Sequence, residues 1–125
     1  MTSRKAARRD ALFVLYQWDV TGQPLASLHE GELDPYAQEL AEGVVAAAPE
    51  LDARINEASS EWSADRLGAL ERNVLRIALW ELERGEVPLE AALDEAVSLA
   101  KRYASEDAGR LVNGILGHVA REARR

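Results

Sequence analysis

Segment 63–84 constrains the fold most strongly, because it is apolar on two sides at helical spacing. One stripe consists of Leu67, Leu70, Val74, Ile77 and Ala78, and a second consists of Leu75, Leu79 and Leu82. A helix with two apolar sides needs neighbouring helices on both of them. We therefore predict that this helix lies at the centre of a helical assembly, with Leu75 and Leu79 buried.

The rest of the chain also carries helical patterns, and strand signals are almost absent. Ala, Leu, Glu and Arg, which favour helices, dominate the sequence, and no β-branched run has a period of two. We predict an all-α fold of six to seven helices. The expected ranges are about 3–20, 34–48, 49–62, 63–84, from 88 onward and from 106 to the end, with a helical turn possible in loop 23–33.

Length and composition narrow the class of protein. The chain has 125 residues, 47% hydrophobic and 30% charged, which excludes a disordered chain and favours a single domain over 1–125. It has no cysteine, so disulfides and thiolate metal sites are excluded. No apolar stretch approaches the roughly 18 residues of a membrane span, and no signal peptide is evident. We expect a cytoplasmic protein that does not associate with a membrane.

The residue types that usually carry catalysis form no recognisable set. His29 and His118 stand far apart without a partner motif, and we interpret both as surface side chains. The sequence has no Gly-rich phosphate loop, no nucleophile elbow and no paired metal-ligand spacing. We predict that the protein is not an enzyme and has no catalytic residues, no metal and no cofactor.

The net charge of -7 argues by itself against nucleic-acid binding, but the charges are segregated along the chain. Residues 1–9 carry four cations and no acid, whereas residues 30–65 carry ten acids and one base, Arg54. A chain with this distribution has faces of opposite sign. The acidic segment should repel RNA, so a single face at most could bind it.

Four cations, Arg4, Lys5, Arg8 and Arg9, fall within the first turns of the first predicted helix. At about 100° per residue they cover an arc of roughly 140° on one side. Cations are unfavourable at the positive end of a helix dipole, which favours a site that a polyanion approaches. The alternative is a frayed, solvated N-terminus, and the residues alone leave both interpretations open.

Several segments together form a pattern that covers essentially the whole chain. Segment 62–83 reads WSADRLGALERNVLRIALWELE, segment 94–103 reads DEAVSLAKRY, and segment 111–116 reads LVNGIL. An Arg-rich segment leads into Leu15 and Tyr16. In this order the segments resemble the NusB family of transcription antitermination factors, although residues 23–60 match only in helix pattern.

The resemblance implies an all-helical protein of two packed three-helix bundles. It implies binding to boxA, a single-stranded element of ribosomal RNA leader transcripts, together with NusE, a ribosomal protein of the small subunit. The pair would help to load an antitermination complex on RNA polymerase. Some relatives are monomers and others are homodimers, so the resemblance implies either state.

The resemblance also implies roles for individual residues. It assigns the RNA phosphates to Arg4, Lys5, Arg8 and Arg9. It makes the start of the last helix, from Asp107 to Leu111, a second RNA-proximal edge. The family commonly has Phe at the position of Leu111, and a leucine cannot stack on a base as an aromatic ring can.

The same resemblance places Tyr16 and Glu71 on the surface that faces NusE. Glu71 lies off the main apolar stripe of its helix, so it should point toward solvent or a partner. Arg72 and Arg76 are near it in sequence, and the region therefore offers both signs of charge to a partner. We predict a partner-binding set of Tyr16, Glu71, Arg72 and Arg76.

Two other interpretations belong to different classes. The chain could be a relative of the RNA-binding domain that precedes the catalytic domain in ribosomal RNA cytosine methyltransferases. It could also be a helical scaffold that binds only proteins, with incidental N-terminal cations. An RNA titration at two salt concentrations separates the scaffold from an RNA-binding factor.

Overall fold

The computed structural model describes residues 3–29, 33–59 and 63–123. Within these ranges the chain forms five α-helices, two short 3-10 helical turns and no strand. The α-helices are α1 (Arg4–Thr21), α2 (Pro35–Ala58), α3 (Ala69–Arg84), α4 (Leu89–Tyr103) and α5 (Glu106–Ala123), and the turns are Leu25–Ser27 and Ala64–Arg66. The all-α prediction is confirmed, including the turn in loop 23–33, but the described chain has fewer α-helices than the predicted six to seven.

The predicted break before Pro49 is wrong, because α2 continues through the proline. A proline inside a helix removes one backbone hydrogen bond and costs about 3 kcal/mol or more. Fully buried side chains continue on both sides of it at helical spacing, namely Leu40, Val44, Leu51 and Ile55. Burying this stripe along one continuous helix offsets the local cost of the proline.

The predicted start of α3 at Ser63 is also wrong, since α3 begins at Ala69. Leu67 is buried in extended backbone after the second 3-10 turn, so the helix cannot begin before the N-cap residue Gly68. Trp62, the predicted end of a separate third helix, lies outside the described residues.

Other helix ends follow their local signals. The Ser3 hydroxyl accepts a hydrogen bond from the Ala6 N–H at 3.1 Å, and the Asp34 carboxylate accepts one from Tyr36 N–H at 2.9 Å. Both are the expected N-cap interactions. Gly85 ends α3 in the left-handed conformation with φ 73°, which a side chain would strain.

Helix α3 lies at the centre and contacts each of the other described α-helices. Its residues from Asn73 to Glu81 are all buried, and Leu75 and Leu79 have no exposed surface. The prediction of a central helix apolar on two sides is confirmed.

The helices form two groups of three that share α3. Helices α1, α2 and α3 pack against one another, and α3, α4 and α5 do the same. Helix α2 also reaches α5, where Arg54 and Ala58 lie near His118 and Val119. Two bundles of three helices each would need six helices. Because α2 is one helix rather than two, the described chain has five, and the two groups share α3.

A buried ionic cluster, which we call the Glu81 cluster, joins α1, α2 and α3. It comprises Arg8, Tyr36 and Glu81. The Arg8 Nε donates to both carboxylate oxygens of Glu81, at 2.9 and 3.0 Å, and the Tyr36 hydroxyl donates to the same carboxylate. Burial and the bond to Glu81 raise the pKa of Tyr36 to about 12, so the hydroxyl remains a donor at neutral pH. Burial alone would lower the pKa of Arg8, but the bond to Glu81 outweighs it and the pKa is raised.

A second cluster, the Asp19 cluster, joins the same helices about 16 Å further along α1. It comprises Asp19, Asp52, Arg72, Asn73 and Arg76. Asp19 accepts hydrogen bonds from Arg72 at 2.8 Å, Asn73 at 2.9 Å and Arg76 at 3.1 Å. Arg76 also donates two bonds of 2.7 Å to Asp52. Burial would raise the pKa of Asp19, but the two arginines outweigh it and the pKa is lowered.

We predict that Leu75→Ala and Leu79→Ala each lower the free energy of unfolding by roughly 2–5 kcal/mol, because each leaves a cavity at a fully buried site. Urea unfolding followed by circular dichroism measures the change. Val20→Ala is the matched control, since Val20 is 60% exposed and should change stability by less than about 0.5 kcal/mol. A decrease below about 1 kcal/mol at both leucines would contradict the central position of α3.

We predict that Glu81→Gln or Arg8→Ala lowers the free energy of unfolding by about 3–5 kcal/mol, because either change leaves an uncompensated buried charge. Arg9→Ala, one residue along α1, removes an exposed arginine and should change it by less than about 0.5 kcal/mol. The same urea titration compares the three variants. Equal stability of the Arg8 and Arg9 variants would show that the Glu81 cluster does not hold α1 in place.

Candidate nucleic-acid interface

The N-terminal cations do not all face the same way. Arg4, Lys5 and Arg9 are exposed, whereas Arg8 is only 6% exposed and is bound to Glu81. The expectation of four cations on one solvent-facing arc is therefore corrected to three. The RNA-binding role assigned to Arg8 stays a prediction, but its guanidinium is not a free surface cation in this structure.

The sequence contains a signal for the burial of Arg8, although the pattern of cations obscures it. Arg8 stands four and seven residues before Leu12 and Leu15, which are fully buried, so it continues their stripe. Glu81 likewise continues the stripe of Val74 and Ile77 on α3. A charged residue on an apolar stripe requires a partner of opposite charge, and these two residues satisfy one another.

A groove between the N-terminal part of α1 and the C-terminal part of α4 lies beside the exposed cations. We call it the α1–α4 groove, and its volume is about 230 Å³. The polar and aromatic residues that line it are Ser3, Lys5, Arg9, Glu95, Ser98, Arg102 and Tyr103. Ser98, Arg102 and Tyr103 were not among the predicted site residues, because nothing local in the sequence joins them to α1.

The predicted second RNA-proximal edge is the start of α5. Asp107 is exposed and forms an ion pair with Arg110 on the next turn, while Leu111 is half-buried against the core. Ser105 caps this helix by accepting a hydrogen bond from Ala108 N–H at 3.0 Å. Asp107 is therefore accessible, whereas much of the Leu111 side chain serves packing.

The last turn of α4 lies between α1 and α5. The ring of Tyr103 contacts Phe13 of α1 edge to face, with centroids 5.0 Å apart. The Lys101 side chain lies against Gly109 of α5, where a Cβ atom would collide with it. The α1 cations and the α5 edge therefore flank one intervening turn that carries Lys101 and Arg102.

Of the predicted partner residues, Tyr16 lies on an exposed apolar strip of α1 that the sequence analysis did not predict. Tyr16 is 39% exposed, and Phe13 and Val20 beside it are also exposed large hydrophobic residues. The spacing of three and four residues puts all three on one side of the helix. Exposed apolar residues grouped in this way are typical of a protein–protein interface.

The charged members of the predicted partner set differ from expectation. Arg72 and Arg76 belong to the Asp19 cluster, and Arg76 is only 5% exposed, so neither is a free surface cation. Glu71 is half-buried, and its carboxylate folds toward Gly68 at the N-terminus of α3, where a negative charge is favourable. The expectation that this region offers free charges of both signs is therefore wrong for the cations, and the partner role of each residue stays a prediction.

The described residues contain neither a metal-binding cluster nor a membrane-spanning helix. In residues 3–29, 33–59 and 63–123, no group of three or more His, Asp or Glu side chains is arranged to hold a metal ion. None of the described helices is both long enough and apolar enough to cross a membrane.

A family model and individual relatives both match this chain, and they point to the same family. The sequence model of the NusB family matches residues 5–121. The transcription antitermination protein NusB of Rubrobacter xylanophilus is 42% identical over 91% of this chain and 87% of its own length. The NusB protein of Solibacter usitatus is 37% identical over 98% of this chain and 91% of its own.

A solved structure has the same fold. It is a NusB chain crystallised as the antitermination factors NusB and NusE in complex with double-stranded RNA. It is 34% identical, has a TM-score of 0.82 and covers 95% of this chain and 96% of its own. With the family model spanning nearly the whole sequence and relatives of matching length, the chain belongs to the NusB family of transcription antitermination proteins.

Proposed function

We propose that this protein binds boxA-type single-stranded RNA of ribosomal RNA leader transcripts together with NusE, and that the pair contributes to an antitermination complex on RNA polymerase. The protein supplies binding surfaces rather than catalysis. A factor of this kind works where RNA polymerase works, which keeps the expected location cytoplasmic.

The observation that carries the proposal is a local surplus of exposed cations on an acidic protein. The net charge is -7, yet Lys5, Arg9 and Arg102 line one groove. Arg4 is also exposed in the first turn of α1, where its guanidinium lies 4.8 Å from the centre of the Tyr36 ring. Arg102 lies in the last turn of α4, where the dipole favours a cation. The cations of α1 lie in its first turns, at the positive end of the helix dipole, where they are unfavourable unless an anion neutralises them. An RNA backbone provides that charge, and family membership favours RNA over other polyanions.

The mechanism follows from the charges. Arginine and lysine side chains neutralise phosphates and release counterions, which supplies affinity without sequence preference. Contacts to unstacked bases supply preference for one sequence. NusE adds binding surface on the same RNA, so the pair should bind more tightly than either protein alone.

The apolar strip of Phe13, Tyr16 and Val20 supports a partner surface that adjoins the α1–α4 groove at Phe13, whose ring contacts Tyr103. Exposed aromatic and aliphatic residues that are close together are shielded from water on binding, which favours association with a protein rather than with phosphates. The solved NusB–NusE complex of a related chain makes NusE the partner to test.

We predict that Arg4→Ala, Lys5→Ala and Arg9→Ala combined weaken RNA binding. The slope of log affinity against log salt should become shallower by about 0.7 for each phosphate that the protein no longer neutralises, or roughly 2 for all three. Fluorescence anisotropy with labelled boxA RNA at several salt concentrations, with and without NusE, measures both quantities. Arg8 is left in place because its removal would disturb folding.

The matched control for the triple variant is Arg66→Ala with Arg121→Ala, which removes exposed cations elsewhere on the surface. The control should retain the wild-type salt slope. A triple variant with the wild-type slope would remove these residues from the RNA site. Wild-type protein that binds NusE but no RNA at either salt concentration would favour the protein-binding scaffold instead.

We predict that Glu71→Lys weakens NusE binding while affinity for RNA alone changes much less. The substitution reverses a charge on the partner surface, and a rim charge acts mainly on the association rate. Surface plasmon resonance with immobilised NusE measures the two rate constants. A lysine at position 71 also places a cation in the first turn of α3, which lowers stability. Thermal unfolding is therefore measured in parallel, so that a loss of stability is not mistaken for a loss of NusE contact.

Two variants separate these effects. Glu50→Lys reverses an exposed acid on α2 and should bind NusE like the wild type. Glu71→Gln removes the charge without adding a cation and should have an intermediate effect. Wild-type association and dissociation rates for Glu71→Lys would mean that the partner surface is misplaced.

A further inference from the structure

The α1–α4 groove has a distinct set of chemical groups that the sequence patterns did not bring together. Lys5 and Arg9 come from α1, while Ser98, Arg102 and Tyr103 come from α4. Among the residues that the structure describes, neither Lys5 nor Arg102 has an ion-pair partner. Two unpaired cations therefore face one cavity from opposite helices.

One acid, Glu95, also lines the groove, and its negative charge is partly neutralised by Arg8. A carboxylate oxygen of Glu95 lies 3.9 Å from Arg8 Nη1, and the Glu95 side chain is 31% exposed. Arg8 already has a full partner in Glu81, so Glu95 receives only part of its charge. The groove thus contains three cations, Lys5, Arg9 and Arg102, against one partly compensated carboxylate. Of the three, Arg9 is paired with the neighbouring Asp10 at 3.2 Å.

The groove also has an aromatic wall. The half-buried ring of Tyr103 is held by its edge-to-face contact with Phe13, with ring planes at 87°. The Arg102 guanidinium lies 5.6 Å from the centre of the Tyr103 ring. The Arg102 guanidinium lies over the Tyr103 ring, and an aromatic ring and a guanidinium plane are both surfaces on which an unstacked base can stack.

The size of the groove selects the kind of ligand. At about 230 Å³ it is smaller than the roughly 300–1,000 Å³ of typical small-molecule sites, and it is open to solvent along the basic surface. It therefore fits one unit of a polymer better than a complete cofactor. Cations opposite an aromatic ring match the phosphate and the base of one nucleotide.

We propose that the α1–α4 groove binds one nucleotide of single-stranded RNA, with Arg9 and Arg102 on its phosphate, Tyr103 against its base and Ser98 in reach of its polar edge. This inference rests on the RNA-binding function proposed above and assigns a role to α4, which the predicted site residues did not include. Glu95 opposes binding at the same position.

The first test replaces Arg102, which belongs to the groove but not to the N-terminal cations. Arg102→Ala should weaken binding of labelled single-stranded boxA RNA by roughly tenfold and make the salt slope shallower by about 0.7. Arg102 is exposed, so the thermal midpoint should not change. Arg121→Ala is the control, because it removes an exposed cation near the other end of α5 and should bind RNA like the wild type.

The second test reverses the direction of the effect. Glu95→Gln removes the carboxylate from the groove and should strengthen RNA binding by about threefold. Asp94→Asn removes the adjacent exposed carboxylate on α4 and should have no such effect. A gain of affinity cannot result from partial unfolding, so this variant keeps the inference testable if another variant is unstable.

The third test locates the base. Ultraviolet crosslinking of wild-type protein to uridine-containing boxA RNA, followed by peptide mapping, should place the crosslink on Tyr103. Tyr103→Leu, which removes the ring, should lower affinity more than Tyr103→Phe, which keeps it.

The outcomes separate the two proposals. If wild-type protein binds RNA but Arg102→Ala and Glu95→Gln both bind like the wild type, the groove is not a nucleotide site and the proposed function stands. A crosslink only to peptides outside α1 and α4 has the same meaning. If wild-type protein binds no RNA, with or without NusE, the proposed function and this inference both fail.

Discussion

Helix α3 is buried on all sides from Asn73 to Glu81, and the other described helices are placed by the need to cover this stretch. Its buried stretch includes three polar residues, Asn73, Arg76 and Glu81, among the apolar ones. An unpaired charge in such a position would be strongly destabilising, so the covering helices must supply partners. Arg8 and Asp19 of α1 therefore fix the axial position of that helix on α3, which apolar packing alone would leave less defined.

This requirement divides the arginines into two classes. Arg8, Arg72 and Arg76 are bound to buried or half-buried carboxylates and hold helices together. Arg4 and Arg9 remain on the surface, where they can neutralise an anion. The same segment of sequence thus contributes a structural cation and binding cations, and burial rather than residue type distinguishes them.

The sequence predicts features that depend on local patterns and fails where two distant segments must meet. The two stripes of α3, the caps at Ser3 and Asp34 and the stop at Gly85 follow from spacing of a few residues, and the structure has them. The break predicted at Pro49 is wrong because the local rule for proline is outweighed by the stripe that continues past it. The α1–α4 groove joins residues separated by about ninety positions in sequence. No local pattern contains that pairing, so its α4 residues become visible only in the folded chain.

The groove contains an aromatic residue, Tyr103, that could stack on an RNA base, which Leu111 at the start of α5 cannot do. Leu111 has no aromatic ring and packs partly into the core, so it cannot offer a base a stacking surface. Tyr103 can, because Phe13 holds its ring at the edge of the groove that Lys5 and Arg9 line. The last turn of α4 lies between the α1 cations and the start of α5, so a strand that crosses from one to the other passes this ring. With a nucleotide in the proposed groove, its base would stack on α4 rather than on the start of α5, while its phosphate would contact exposed cations of α1 and α4.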